Sequence, residues 1–254
     1  MYYNKNGTNM YNYNSIYFKK AARMQLTGQW GAAALLTFVY MIIIQSAGFL
    51  FSMSTDLCFT VPGTLLPYVA YGMAESEMLM ISSFLILLAV PLVVVLDFLY
   101  YFLMMPMYYS YSVMFLENRR EGKELNPGKL FKSYSQLKRV GGTMLLMAIY
   151  TSLWSLLLYI PGIVKSISYS QTAYVLRDNP GLSYNAAIER SMDMMYGYKM
   201  RYFKLQLSFI GWILLAALTC GIAFFWVYPY MQAANANFYE YVKEEYEKKV
   251  AAAE

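Results

Sequence analysis

Long apolar blocks alternate with short charged stretches along the chain, and this alternation predicts its architecture. The four apolar blocks are 30–51, 78–116, 140–176 and 202–242. At about 1.5 Å per residue, the first block is long enough for one membrane crossing. A single helix through any of the other three would be about 50 Å long or more, against a hydrocarbon core of about 30 Å. We therefore expect these three blocks to bend, project from the membrane or double back.

Proline and glycine divide the last two blocks. Proline lacks the backbone donor that a helix interior needs, and glycine permits a tight reversal, so Pro161–Gly162 is predicted to split the third block. The stretch "TCGI" at 219–222 is a similar break in the fourth block. Each divided block is predicted to form a helical hairpin. The predicted membrane segments are 30–51, 78–101 with a continuation to 116, 140–160, 162–176, 202–220 and 222–242.

The placement of basic residues indicates the orientation. With two hairpins, all but one of the 20 Lys and Arg residues fall on one side of the membrane, and only Lys165 falls on the other. The loop 52–77 on that other side contains no basic residue. Because basic loops remain cytoplasmic, we predict six segments with both termini in the cytoplasm. Segment 162–176 spans only about 22 Å, so the sequence leaves open whether the hairpins cross fully or are re-entrant.

An amphipathic helix is predicted between the hairpins, flat on the inner interface. Ser183 is a suitable N-cap and Gly197 a suitable stop. Ile188, Met192 and Met195 recur on one face of the intervening helix. This pattern is typical of a surface helix that buries one apolar side.

The remaining boundaries follow from the same pattern. Residues 15–242 are predicted to form a single all-α membrane domain, whose first stretch, 15–26, is a second interfacial helix. Residues 1–14 are rich in Asn and Tyr and are expected to be disordered. Residues 243–254 are expected to form a charged cytoplasmic tail.

Composition agrees with a membrane protein and removes several kinds of chemistry. Of the 254 residues, 59% are hydrophobic and 14% are charged, whereas a soluble domain is about one quarter charged. The absence of histidine removes the Ser-His-Asp and Cys-His nucleophile pairs and leaves no ordinary zinc site. We expect no catalytic residue, no cofactor and no metal. The net charge of +5 does not indicate nucleic-acid binding, because in a membrane protein the placement of the basic residues indicates orientation.

The order of motifs from Leu153 onward is specific enough to suggest a family. It runs from "IPGIVKSISY" through "RDNP" and "SFIGW" to "TCGI" and "YPY". This order resembles bacterial integral membrane proteins grouped as domain of unknown function 975. The resemblance implies a multi-pass helical fold in the bacterial cytoplasmic (inner) membrane, and it brings no activity, because the family is uncharacterised.

Two intramembrane charges are candidate polar or transport residues. Asp97 comes about 28 Å along the helix from Met78, which places it near the inner interface. It is either a solvated or capping carboxylate there or a coupling-ion site. Lys165 forms a helical stripe with Tyr169 and Thr172. This lysine either extends to outer-leaflet phosphates or contacts an anionic substrate inside the bundle.

The two cysteines form the remaining candidate site. Cys58 and Cys220 are both predicted on the outer side, where an oxidising environment permits a disulfide between them.

Three classes of function remain open. The favoured class is a non-enzymatic membrane protein that serves assembly or binds a protein partner on the cytoplasmic side, in contact with membrane lipids. The second is a small-solute or lipid transporter or channel, which the broken helices and intramembrane polar groups favour. The third is a lipid-acting enzyme, for which only Asp97 and Asp178 offer a carboxylate.

Overall fold

The computed structural model describes residues 14–69 and 75–252, and within these ranges every regular element is a helix. The expected disordered tail falls almost wholly outside the described residues. The elements are α1 (Ser15–Leu26), α2 (Trp30–Val69), α3 (Glu75–Glu121), a 3-10 helix (Pro127–Gln136), α4 (Leu137–Leu157), α5 (Tyr159–Tyr169), α6 (Thr172–Asp178), α7 (Tyr184–Met194), α8 (Lys199–Leu207), α9 (Ile210–Leu218) and α10 (Phe224–Ala251).

Four helical stretches among the described residues are long and apolar enough to cross a membrane. Because every regular element in the described ranges is a helix, the all-α class is confirmed. The count of six membrane segments stays a prediction. The four stretches are Trp30–Phe49, Ser83–Glu121, Pro127–Leu157 and Lys199–Leu218.

Helices α2 and α3 are longer than the predicted segments. Helix α2 continues to Val69, through residues that we expected to form an outer loop. Residues 57–69 carry no charge, and they include Pro62, Gly63 and Pro67, which do not favour a helix interior. Helix α3 has 47 residues and is about 70 Å long, so the second block projects and does not double back. Large side chains on α3 are exposed as far as Tyr101, and from Met107 most are buried against other helices.

The 3-10 helix packs across α3 at Pro106. The hydroxyl of Ser133 donates to the carbonyl of Pro106 at 2.6 Å, and the hydroxyl of Tyr134 donates to the carbonyl of Leu103 at 2.7 Å. A proline inside a helix disturbs the carbonyls of the preceding turn. The two hydroxyls thus give carbonyls in this region an additional partner.

The turn predicted at Pro161–Gly162 lies three residues earlier in the chain, at Leu158. Helix α4 ends at Leu157, and Leu158 alone is extended, with φ −156° and ψ 134°. Pro161 lies in the first turn of α5, where a backbone N–H has no intrahelical acceptor to lose. Gly162 instead permits α5 to pack closely against α4, because a Cβ there would lie 2.8 Å from the Cα of Ser155 in α4.

Serine interrupts two of the predicted segments. Segment 162–176 is divided at Ser170, whose hydroxyl donates to the carbonyl of Ile167 at 2.8 Å. Segment 202–220 is divided at Ser208, whose hydroxyl donates to Leu205 at 2.7 Å. Each serine offers the backbone a local partner in place of the helical one. Each predicted segment is therefore two short helices: α5 and α6 in the first case, α8 and α9 in the second.

The break between α9 and α10 lies where the sequence predicts it. Cys220 and Gly221 adopt positive φ values of 51° and 89°. The Gly221 N–H returns to the carbonyl of Ala216 at 2.8 Å, which closes the end of α9. The hydroxyl of Thr219 accepts from the N–H of Ala223 at 3.0 Å, just before α10 begins.

The amphipathic pattern predicted for α7 is also confirmed. Ser183 is its N-cap and accepts a hydrogen bond from the N–H of Ala186 at 3.4 Å. Ile188 is buried, as is Met195 just beyond the helix, and Met192 is half-buried, while Glu189 is exposed on the opposite face.

The core is formed where α1, α2 and α3 meet α10. The apolar face of α1 is buried, and its Phe18 ring lies edge-on to Phe238 of α10 at 5.2 Å. Deeper in the bundle, the ring of Tyr111 stacks on Tyr40 at 4.5 Å and on Tyr228 at 5.3 Å. Such aromatic pairs stabilise the packing beyond their buried area.

Candidate functional site: an ion cluster around Asp178

Asp178, the last residue of α6, lies at the centre of an ion cluster. Arg120 of α3 donates to both carboxylate oxygens, at 2.6 and 2.8 Å. From α10, the Lys243 ammonium donates to Oδ2 at 2.7 Å and the Tyr239 hydroxyl donates to the same oxygen at 2.9 Å. Arg120 also contacts Glu240 at 2.6 Å. One carboxylate therefore joins the ends of α3 and α6 to the middle of α10.

The cluster keeps Asp178 ionised. Its side chain is only 7% exposed, and burial alone would raise the pKa of the carboxyl. The hydrogen bonds from Arg120, Lys243 and Tyr239 outweigh that effect and hold the pKa well below its usual value. With four donors on two oxygens, the carboxylate is saturated. It does not support the acid–base role that a lipid-acting enzyme would need.

Contacts around the C-terminal end of α6 fix the conformation of the "RDNP" motif. Arg177 pairs with Glu117 of α3 at 3.1 Å. The Asn179 amide donates to the carbonyl of Val175 at 2.9 Å. The Arg139 guanidinium donates to the carbonyls of Leu176 and Asn179, which satisfies the C-terminal end of α6.

A second polar group joins α1, α3 and α10 next to this cluster. The Asn237 amide donates to Oε1 of Gln25 at 2.7 Å and accepts from Nε of Arg119 at 2.7 Å. Nε2 of Gln25 donates in turn to Oδ1 of Asn118 at 3.0 Å. Nδ2 of Asn118 donates to Oε1 of Gln29 at 2.8 Å. Buried amides need such partners, so this group fixes how the three helices meet.

The structure places Asp97 away from these clusters. It lies on α3 among exposed apolar neighbours, of which Val94 is 60% and Phe98 is 52% exposed. Within the part of the chain that the structure describes, no hydrogen bond or ion pair reaches its carboxylate. The choice between an interfacial carboxylate and a coupling-ion site stays open.

Lys165 and Tyr169 face the protein, and Thr172 is not on their helix. The Lys165 ammonium lies 4.9 Å from the centre of the Trp154 ring and 3.9 Å from Sδ of Met192. Tyr169 is buried at the end of α5, whereas Thr172 begins α6. The turn at 170–171 thus separates Thr172 from the helix that carries Lys165 and Tyr169, and a polar or transport role for the three residues stays a prediction.

The predicted disulfide is not resolved by the structure. Cys220 is exposed in the turn before α10, and the side chain of Cys58 lies outside the described residues. The pairing stays a prediction. A mobility shift on reduction would support it, and complete alkylation of both thiols without reductant would contradict it.

The sequence did not reveal the partners of Asp178. They lie 58 to 65 residues away, and no local spacing connects them. The one signal present was the "RDNP" motif, which marked the position but not the role. Among the described residues, no group of three or more Cys, Asp or Glu side chains is placed to hold a metal ion.

The arrangement defines an all-α protein with helices apolar enough to span a membrane and an ion cluster that ties three of them together. Residues 71–246 match the family described as a protein of unknown function, DUF975. The chain therefore belongs to the DUF975 family, and the match begins well before Leu153, where the motifs first suggested it. No curated protein and no solved structure matches this chain.

Proposed function

We propose that this protein is a non-enzymatic integral membrane protein that holds a helical assembly together and binds a protein partner on its cytoplasmic face. One observation carries the proposal: interior polar side chains bond to one another across helices. Nε2 of Gln206 donates to Oδ1 of Asn235 at 2.7 Å, and the hydroxyls of Thr37 and Tyr111 share a hydrogen bond of 2.7 Å. A transport path would leave such groups free for a solute, whereas helix association uses them as pairs.

The exposed face of α7 is the proposed partner surface. Glu189 and Asp193 are both exposed there, while the opposite face of the helix is buried. The buried side fixes the orientation, since the Ser191 hydroxyl donates to the carbonyl of Ser168 at 2.8 Å. A rigid helix with an acidic outer face suits a partner that carries a basic patch.

The proposed topology has two short hairpins that enter the bilayer from the cytoplasmic side without crossing it. The tip between α4 and α5, Leu156–Tyr159, is apolar and 66 to 86% exposed, which suits hydrocarbon better than water. Helix α5 has 11 residues and is about 16 Å long, too short for the core. Helix α7 packs against both arms, so Lys165 would lie near the inner interface and not among outer headgroups.

Cysteine labelling tests this topology in a background carrying Cys58→Ser and Cys220→Ser. We expect Asn185→Cys to react with an impermeant maleimide only after the cells are permeabilised. We expect Leu158→Cys to remain unlabelled from either side until detergent is added. Labelling of Leu158→Cys from outside would mean a full crossing, and labelling of Asn185→Cys from outside would reverse the orientation.

Site-specific photo-crosslinking in living cells tests the function. A photoreactive residue at Glu189 or Asp193 should give one common protein adduct, and the same probe at Leu158 should capture lipid. The protein should co-purify with that partner, and Glu189→Lys with Asp193→Lys should abolish co-purification, whereas Lys248→Glu should preserve it. Lipid adducts alone at both α7 positions would contradict partner binding.

A transporter remains the alternative, and one observation favours it. The side-chain oxygens Ser112 Oγ, Gln171 Oε1 and Thr172 Oγ1 are buried without a partner among the described residues. Unpaired buried polar atoms are costly and sometimes mark a solute path. Proton flux into proteoliposomes that Asp97→Asn abolishes would establish this alternative. Flux equal to that of empty liposomes would remove it.

A further inference from the structure

A basic cleft lies beside the ion cluster, between α3, the 3-10 helix and the corner where α6 ends. Its volume is about 340 Å³, within the range of about 300–1,000 Å³ that is usual for small-ligand sites. Its charged lining residues are Lys129, Lys132, Arg139, Arg177 and Glu117. Four cations thus face one carboxylate.

That single carboxylate does not neutralise the cleft. Glu117 is engaged by Arg177 at 3.1 Å. Lys129 and Lys132 lie one turn apart on the 3-10 helix, and neither ammonium has an acidic partner among the described residues. Like charges in a concave surface repel one another and focus a positive potential, which a bound anion would relieve.

One further donor lacks a partner in the described part of the cleft. Nε of Arg139 is buried without a hydrogen bond, although the same guanidinium donates to Gln136 and to the end of α6. Tyr109 also lines the cleft, where the positive charges of Arg139 and Arg177 act on its hydroxyl. Buried donors in native proteins usually have an acceptor. An oxyanion in the cleft would supply one.

The neighbouring surface suggests where such an anion would come from. Phe131 lies between the two lysines in sequence and is 53% exposed. An exposed aromatic ring flanked by lysines is typical of the membrane interface, where the ring reaches acyl chains and the ammonium groups reach phosphates. Basic pockets between membrane helices on the cytoplasmic side bind anionic headgroups in the same way.

The geometry points to a binding site for a phosphate-bearing anion in this cleft. Lys129 and Lys132 supply mobile charge, and Arg139 supplies a fixed donor. Glu117 limits affinity, because it occupies Arg177. The phosphate belongs either to an anionic lipid headgroup or to a soluble metabolite, and the same residues serve both.

Thermal unfolding of the purified full-length protein, titrated with defined additives, tests the site. We expect phosphatidylglycerol to raise the unfolding temperature and phosphatidylcholine to leave it unchanged. Lys129→Gln with Lys132→Gln should weaken the phosphatidylglycerol response by roughly tenfold or more in concentration. The matched control, Lys20→Gln with Lys138→Gln, removes the same charge from exposed positions outside the cleft and should retain the response.

Soluble glycerol phosphate and inorganic phosphate separate the two sources. Stabilisation by either at millimolar concentration, lost in the cleft variant alone, identifies a soluble anion. Stabilisation by phosphatidylglycerol only identifies a lipid headgroup. Equal responses of the cleft variant and its control, or no anion response at all, would overturn the site.

A gain-of-affinity variant keeps the test decisive if the lysine variants prove unstable. Glu117→Gln removes the carboxylate and releases Arg177, so it should tighten anion binding several-fold. Unchanged or weaker binding in Glu117→Gln, measured on folded protein, would contradict the assignment.

Discussion

Arg120 and Asp178 are 58 residues apart in the chain and form a two-point ion pair, with N–O distances of 2.6 and 2.8 Å. A bidentate pair of this kind fixes direction as well as distance. The pair therefore sets how α3 meets the end of α6, and the contacts of α10 with Asp178 complete the corner.

Removal of one partner from this pair should be costly. Arg120→Ala leaves a nearly buried carboxylate with two donors fewer but still paired with Lys243, so we expect the free energy of unfolding to fall by about 1.5–3 kcal/mol. Thermal or denaturant unfolding in detergent measures the loss. Lys123→Ala, which breaks the exposed pair with Glu121, is the control and should leave stability unchanged. A loss no larger than that of the control would contradict a structural role for the cluster.

Acid should weaken the same cluster in a defined window. Because the folded-state pKa of Asp178 is depressed, its contribution is fully present above the unfolded pKa of about 3.9 and is lost as pH falls through the folded pKa. The stability difference between wild type and Asp178→Asn should therefore be constant from pH 7 to pH 5 and shrink below about pH 4. A difference that stayed constant down to pH 3 would show that the carboxylate does not titrate as the structure requires.

The close approach of α4 and α5 predicts intolerance of a methyl group at Gly162. A Cβ there would overlap the side chain and backbone of Ser155, and we expect Gly162→Ala to cost about 1–3 kcal/mol. Gly211→Ala in α9 is the matched control. A Cβ at Gly211 meets nothing within 4 Å, so helix propensity should make that change neutral or stabilising. Melting temperatures of the two variants give the comparison, and equal values would mean that the helices are not packed this closely.

The amide group at Asn237 predicts a smaller but specific loss. Asn237→Ala removes partners from Gln25 and Arg119, and the unsatisfied groups should cost about 1–3 kcal/mol. Asn185→Ala removes an exposed amide and should cost much less. In a double variant, Gln25→Ala should add little to Asn237→Ala, because both changes break one network. Full additivity of the two losses would contradict the coupling.

Local signals could be read from the sequence, and distant pairings could not. The Ser183 cap and the break at 219–222 were predictable, since each depends on residues within one turn of helix. The turn before α5 was misplaced, because Pro161 is equally acceptable in the first turn of a helix. The serine breaks at Ser170 and Ser208 were missed, since a serine inside an apolar helix is usually harmless.

The candidate site was the least predictable part. Asp178 was visible only as an acidic residue in a motif. Its four donors come from α3 and α10, on either side of it in the chain, and a single sequence carries no record of which charges meet. Asp97 and Lys165 attracted attention because charges are rare in apolar segments. The structure connects neither of them to Asp178.

The position of α10 has a consequence for synthesis of the protein. When α6 leaves the ribosome, Arg120 has already been synthesised and can pair with Asp178, whereas Tyr239 and Lys243 have not yet been synthesised. The apolar face of α1, including Phe18, also lacks its contact with Phe238 until α10 has been synthesised. Both the ion cluster and the cover over α1 are thus completed by the same late helix. A chain released before α10 would show an under-paired carboxylate and a bare apolar strip together, two marks by which quality-control proteases could distinguish it from a finished molecule.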